Sequence, residues 1–396
     1  MADSQHSFAF IASGNLHIAR DGGSPDIVIS PFAEQVVERH QQDLDRAAWK
    51  SGSSAWNSNE PFAGMFGMTP QSSPMPTVRS VDVGRDNDEQ AALCYVLRTA
   101  HSSVLLRQTL ADGYEQRLYH KQNFVGSDVC VHPFDDRVVM TVADAETQTA
   151  HLAVIKPDGG GLTIVTDGDC VDEAASWHVE EDGHCETLVY QSGGVGRDAD
   201  GNFWQLGPRR VEKLDLETGR LDTLLDEEDY DFLMPRLMAD DTLWFIRRPW
   251  QPHESPSAAS RAMGLLSAPF VFVAALFQVV IGLSKLLKQE PPSTAGGPQP
   301  ALPPPLMLYG QLVANAQPGK PVDSSQPPTA PKSWELVRLD ADDEQTVIAT
   351  GVVSYDVTPA GDCIYTDGSG VFSVRDGGKP QKLHHAVLVE RVRWLA

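Results

Sequence analysis

Residues 129–168, VCVHPFDDRVVMTVADAETQTAHLAVIKPDGGGLTIVTDG, set four short β-rich runs in a row, at 129–132, 138–143, 151–155 and 162–166. PFDD, DAETQT and PDGGG separate them, and each is a turn sequence rich in Asp, Gly or Pro, so the runs read as successive antiparallel strands. A lone four-stranded meander leaves apolar faces in water. Radial repetition covers them, which makes the unit one blade of a β-propeller, about 40–50 residues long.

The rest of the chain divides on the same period. Residues 7–30 supply only three strands, 8–12, 15–19 and 26–29, with Gly14 and Gly22-Gly23 at the turns. The C-terminal run 387–396, VLVERVRWLA, alternates apolar and polar residues and has no local partner. If that run is the innermost strand of the first blade, one pairing completes both fragments and leaves no open edge. Blade two spans 77–124, with strands at 91–98, 103–109 and 116–120; blade three is the opening unit. Blade four starts at Ala175 and returns through VEKLDLETGRLDTLL, with a longer loop expected at 193–208. Blade five opens with FLMPRLMADDTLWFIRRPW, but its outer half, SWELVRLDADDEQTVIATG, does not arrive until Ser333. Blade six, 352–383, is compact and hands over to the closing strand. The expected class is therefore all-β: one domain over 1–396, a six-bladed β-propeller closed by N- and C-terminal strands, with two insertions.

The first insertion, 31–76, begins with Ser30-Pro31 as N-cap and first helical residue. Phe32, Val36, Val37, Leu44, Ala47 and Ala48 then recur at helical spacing, predicting an amphipathic helix laid on the propeller. A Gly/Met/Pro-rich loop carrying Phe62, Met65, Phe66 and Met68 follows, either covering a blade or offering an adaptable partner surface. The second insertion, 252–332, lies inside blade five. Residues 262–283 carry no charge, enough length for a spanning helix. Yet both ends must return to one sheet, so a single crossing is excluded. Phe270, Phe272, Val273, Leu276, Phe277, Val280 and Leu287 give a helix that wants apolar contact, with Lys285 and Lys288 at its end. Three occupants suit it: an anionic membrane surface met from one side, a protein partner or second copy, or the propeller itself. The Pro- and Gly-rich residues 289–332 read as a return linker.

Composition excludes several functions. Asp and Glu outnumber Lys and Arg by 54 to 31, a net charge of -23 that repels a phosphate backbone, so no nucleic-acid partner is expected. The 5 cysteines, Cys94, Cys130, Cys170, Cys185 and Cys363, form no CxxC pair, which predicts reduced core residues, no disulfide framework and no metal. The first residues lack a basic segment followed by an apolar one, pointing to a cytoplasmic protein, peripheral to the inner membrane face if the insertion meets lipid. No GxSxG, HExxH or P-loop occurs, so neither catalytic residues nor a cofactor is assigned. Asp198, Asp200 and Gly201 form half a calcium-loop pattern and read as a polar turn. Arg197, Trp204, Arg247 and Arg248 come from adjacent blades and are the candidate partner-binding group at a shared rim; pairing with the run 226–231, DEEDYD, is their structural alternative.

GNLHIARDGG at Gly14, PDGGGLTIVT at Pro157 and LDLETGRLDTLL at Leu214 resemble the six-bladed propellers of the TolB-like class. The resemblance implies an interaction module that binds a peptide or protein at a rim or channel. YQSGGVGRDADG and PRLMADDTLWFIRRP, with the apolar insertion, further resemble uncharacterised bacterial propellers associated with MoxR-type ATPase and von Willebrand A partners. A non-enzymatic scaffold is the expected function. The competing class is a metal-dependent hydrolase of the lactonase-like propeller type, for which Asp82, Glu180 and Asp356 are scattered candidate ligands.

Overall fold

A computed structural model describes residues 7–20, 23–51, 76–86, 89–99, 102–144, 146–251, 307–308, 311–312, 330–375, 378–386 and 388–395. The chain divides into two compact units, Met1–Trp250 with Pro304–Ala396 and Gln251–Pro303, and of the second only Gln251 is described.

In the first unit, β1 (Ser7–Ala12), β2 (Asn15–Arg20) and β3 (Asp26–Ile27) lead into α1 (Pro31–Ser51). β4 (Thr77–Arg85), β5 (Ala91–Arg98), β6 (Ser103–Thr109) and β7 (Glu115–His120) form a four-stranded meander. A second is β8 (Val125–Val131), β9 (Val138–Asp144), β10 (Thr149–Ile155) and β11 (Leu162–Ile164). β12 (Cys170–His178) and β13 (Thr187–Arg197) are followed by a short β14 (Phe203–Leu206) on β13, then β15 (Arg210–Asp215) and β16 (Leu221–Leu225). β17 (Tyr230–Leu237) and β18 (Leu243–Pro249) precede the second insertion, which carries a small hairpin of β19 (Met307–Leu308) and β20 (Gln311–Leu312). β21 (Glu335–Leu339) and β22 (Gln345–Thr350) complete the sheet of β17 and β18. The last meander is β23 (Ser354–Val357), β24 (Cys363–Thr366), β25 (Gly370–Val374) and β26 (Gln381–His385). Then β27 (Val389–Trp394) crosses back to β1, giving the order β27-β1-β2-β3.

That last pairing is the closure predicted from the two incomplete termini. It runs antiparallel, Phe8 opposite Trp394 and Phe10 opposite Val392. Apolar packing seals each junction between neighbouring meanders. Ile11 and Leu16 pack with Leu93 and Leu106, Val96 and Leu105 with Val138 and Met140, and Phe8 and Phe10 with Ile364 and Val392. Val139 and Leu152 meet Leu188, Val189 meets Phe232 and Phe245, and Leu233 and Ile246 meet Val353 and Tyr355. Most of these side chains are wholly buried, and each is worth roughly 1.5–3 kcal/mol of apolar burial. The sheets hold because each covers the next.

Local chemistry fixes α1 at its first turn. The Ser30 hydroxyl accepts the Ala33 amide at 3.2 Å as an N-cap and donates to the Glu115 carboxylate at 2.7 Å. Glu115 also accepts the Phe32 amide at 2.9 Å and the Tyr95 hydroxyl. Phe32 and Ala33 join the apolar cluster between β1–β2 and β4–β6, and Val37 is exposed. Side chains of Leu44, Ala47 and Ala48, and the loop residues Phe62, Met65, Phe66 and Met68, lie outside the described residues.

β18 and β21 pair with Arg247 opposite Glu335, so the second insertion leaves and re-enters one sheet. Phe270, Phe272, Val273, Leu276, Phe277, Val280, Lys285, Leu287 and Lys288 lie outside the described residues. Among the described residues no helix is long and apolar enough to cross a membrane.

Candidate functional site

The first strand of each meander and β27 face one axis. β27 lies against β4 and β23, β4 against β8, β8 against β12 and β12 against β17; Tyr355 of β23 reaches β17 by donating to the Met234 carbonyl at 2.7 Å. These strands share an irregularity. Register slips by one residue at four places, between Val78 and Ser80, Ser127 and Cys130, Glu173 and Ser176, and Leu233 and Arg236. In the last three, a residue sits in the left-handed region: Asp128 at φ 50°, Ala174 at 53° and Met234 at 54°. Each such residue costs about 1–3 kcal/mol, and bulges of this kind re-aim side chains near sites. Here they converge on one cavity, lined by Asp128, Ala174, Met234, Arg236, Arg391 and Arg393 among others.

Guanidinium groups plug that cavity. Arg391 pairs with Asp128 and donates to the Met234 sulfur at 3.1 Å. Arg393 donates to Asp82 at 3.1 Å and lies 3.9 Å from Asp356. Arg236 reaches Asp356 at 2.9 Å from the far side. The carboxylates are tied to backbone as well, Asp82 to the Val131 amide at 2.7 Å and Asp356 to the Trp394 amide at 2.8 Å. Burial disfavours a charged Arg236, but Asp356 and Asp82 outweigh it and hold the guanidinium above its ordinary value. About 20 Å³ remains open, and a water molecule needs roughly 10–15 Å³.

A second buried network adjoins it. Glu173 receives Arg209 and Gln191, both at 3.2 Å, and the Gln191 oxygen accepts the Met234 amide at 2.8 Å. Burial, offset in part by Arg209, raises the Glu173 carboxyl above its usual range.

The four predicted rim residues are not brought together. Arg248 is wholly buried, bonds Asp231 at 2.9 Å and lies over the Trp334 ring, and burial pushes it down to about 10. Arg247 pairs with Glu335 at 2.8 Å across the sheet. Arg197 and Trp204 belong instead to one projecting hairpin, β13–β14, where a loop was expected at 193–208. The DADGN turn makes it: Asp198 accepts the Asp200 and Asn202 amides at 2.9 Å each, and Gly201 takes φ 82°. Arg197 clamps the hairpin to Asp169 and to the Thr147 carbonyl at 3.0 Å, and Phe203 and Trp204 stand about 40% exposed. Glu180, the third candidate ligand, sits in a surface turn bonded to His184, away from Asp82 and Asp356.

The meander order, the terminal closure and a known structure agree. A chain of the nidogen/laminin complex superposes with TM-score 0.51 at 7% identity, covering 98% of this chain and 97% of that one. The chain is a β-propeller. TolB from Acinetobacter baumannii is also similar, with TM-score 0.49 and 10% identity over 98% of this propeller, which spans 66% of TolB's length. An oligogalacturonate lyase bound to manganese is a more distant likeness, TM-score 0.35 at 11% identity over 79% of this chain and 74% of the lyase. At such identities the likeness establishes the fold alone. No family model and no curated protein matches the propeller's sequence.

Proposed function

We propose that this propeller is a non-enzymatic protein-binding scaffold of six blades, with a helix after the first and the 252–332 insertion inside the fifth. The observation that carries the reading is the plugged axis. Asp82, Asp128 and Asp356 are committed to Arg393, Arg391 and Arg236, and the space left suits a water, so recognition falls to the surface. The hydrolase alternative would need Asp82 and Asp356 free to ligate a cation, and each already holds a guanidinium. The β13–β14 hairpin supports surface recognition: two exposed aromatic rings on a clamped β-ribbon resemble interface anchors, where Trp and Arg dominate. The insertion is the second contact, with an anionic membrane, a second copy or a partner as its occupant. The partner class suggested by the sequence resemblance is a MoxR-type ATPase or von Willebrand A protein.

Quantitative affinity capture with liposome flotation tests this on the full chain. Phe203→Ser with Trp204→Ser is expected to weaken capture of specific partners by about 30-fold, as for an anchor worth 2 kcal/mol or more. Deleting residues 252–332 is expected to abolish flotation or the remaining capture. Unchanged behaviour of both variants in both assays would overturn the scaffold reading.

A further inference from the structure

A second cluster of functional side chains lies off the axis, where the β8–β11 meander meets the one that follows. Among the described residues these sheets are bridged by a parallel pair, Ala150 opposite Val171. It sets His151 of β10 beside the start of β12, where Cys170 and Asp172 are two residues apart and project on the same side of the strand. One imidazole nitrogen, the thiol sulfur and a carboxylate oxygen all lie within 4.8 Å of one another, with sulfur to oxygen 3.4 Å and Nδ1 to oxygen 3.9 Å. Ligand atoms around a tetrahedral zinc ion, at bond lengths near 2.0–2.3 Å, stand roughly 3.3–3.6 Å apart. Modest closure of the imidazole would complete that spacing.

Two features are unexplained by packing. The Nδ1 atom of His151 is buried with no hydrogen-bond partner. Asp172 is 2% exposed, yet among the described residues no Arg or Lys forms an ion pair with it; the thiol and the imidazole lie against it, and the Glu212 carboxylate and Tyr190 are near. Every buried carboxylate on the propeller axis has a guanidinium, and this one does not. A buried carboxylate without a cation is costly, and an orphaned imidazole nitrogen adds to the cost. A divalent ion would answer both.

We propose that His151, Cys170 and Asp172 form a zinc-binding site at this blade junction, independent of the partner-binding reading. The donor set of nitrogen, sulfur and oxygen selects a borderline-soft ion over calcium or magnesium. Three protein ligands leave a fourth position for water, and the half-exposed Cys170 gives the ion a way in. Burial and the neighbouring Asp172 keep the thiol protonated without metal, its value pushed up to about 12. Zinc would displace that proton to solvent and hold the thiolate. Local spacing could not announce the site, because the histidine and the cysteine sit on different sheets.

The test is titration of the metal-stripped full chain with Zn²⁺ against a chromophoric chelator, and with Co²⁺ alone by absorption. One equivalent of either ion is expected, the cobalt form showing a thiolate charge-transfer band and intense tetrahedral ligand-field bands. Cys170→Ser is expected to remove the charge-transfer band. His151→Ala and Asp172→Asn are expected to weaken Zn²⁺ by at least about 100-fold, the upper range for outer-shell partners alone. Circular dichroism of Cys170→Ser, a half-exposed position, keeps loss of metal distinct from loss of fold. Absence of uptake by the native chain, or uptake and cobalt spectra that Cys170→Ser and His151→Ala leave unchanged, would overturn the proposal.

Discussion

At the scale of single residues, the axis is governed by pairing rather than by hydrophobicity. Arg391 enters from the last strand and meets Asp128, whose left-handed backbone aims its carboxylate inward. Replacing one member of a buried pair strands the other, so Arg391→Met is expected to cost about 3–5 kcal/mol in urea unfolding. Arg391→Met with Asp128→Asn should cost less than Arg391→Met alone, since Asn tolerates the left-handed position and carries no charge. A double variant at least as unstable as the single one would mean that the pair's charges do not set the loss. Little of this was legible in the sequence. The alternation of VLVERVRWLA identifies a strand, but which of its arginines finds Asp82 or Asp128 depends on contacts more than two hundred residues apart. The same limit applied to Arg197, Trp204, Arg247 and Arg248: adjacency of blades was inferred correctly from strand order, while the side of the sheet each residue takes was not. Arg197 and Trp204 share the β13–β14 hairpin and Arg247 and Arg248 share β18, where Arg248 follows the alternative, tied to Asp231.

Individual elements were far more readable. The predicted runs 91–98 and 103–109 coincide with β5 and β6, because turn sequences bracket them and their apolar residues are buried on both faces. The inner strands were less clear. β8 and β12 begin several residues before their predicted starts, in GSD and CVDEA, where polar residues face the axis or the blade edge and hide the strand pattern. The bulges at Asp128, Ala174 and Met234 have no residue signature, since neither Gly nor Asn marks Ala174 or Met234. The closing meander carries a pH dependence of its own. His17 of β2 stacks on Phe10 at 4.9 Å, and His384 of β26 lies 5.4 Å from the same ring. Burial, then the nearby His384, lowers His17; burial, then His385 and Lys382, lowers His384. Both histidines bind protons more weakly folded than unfolded. Stability is therefore full above the unfolded value of 6.5, falls as pH drops below it, and levels off under the folded values. His17→Asn with His384→Asn is expected to flatten the fall in urea midpoint between pH 7.5 and 5; an unaltered slope would assign the acid sensitivity elsewhere.

For the molecule as a whole, closure is what gives the other features their meaning. The terminal strands form one sheet, the sheets cover one another, and β27 delivers both Arg391 and Arg393 to the axis. The strand that seals the ring also plugs it. The second insertion leaves and returns through β18 and β21, which pair in one sheet. The measurement that bears most directly on this is native-state hydrogen exchange of the β1 and β27 amides, compared with those of the central strand β5. Closure through the terminal strands predicts that all three exchange only through global unfolding, with one common free energy that moves together in urea. Exchange of β1 and β27 about 100-fold faster than β5, insensitive to urea, would mean that the ring opens at its seam while the blades stay folded, and would contradict the sealed axis.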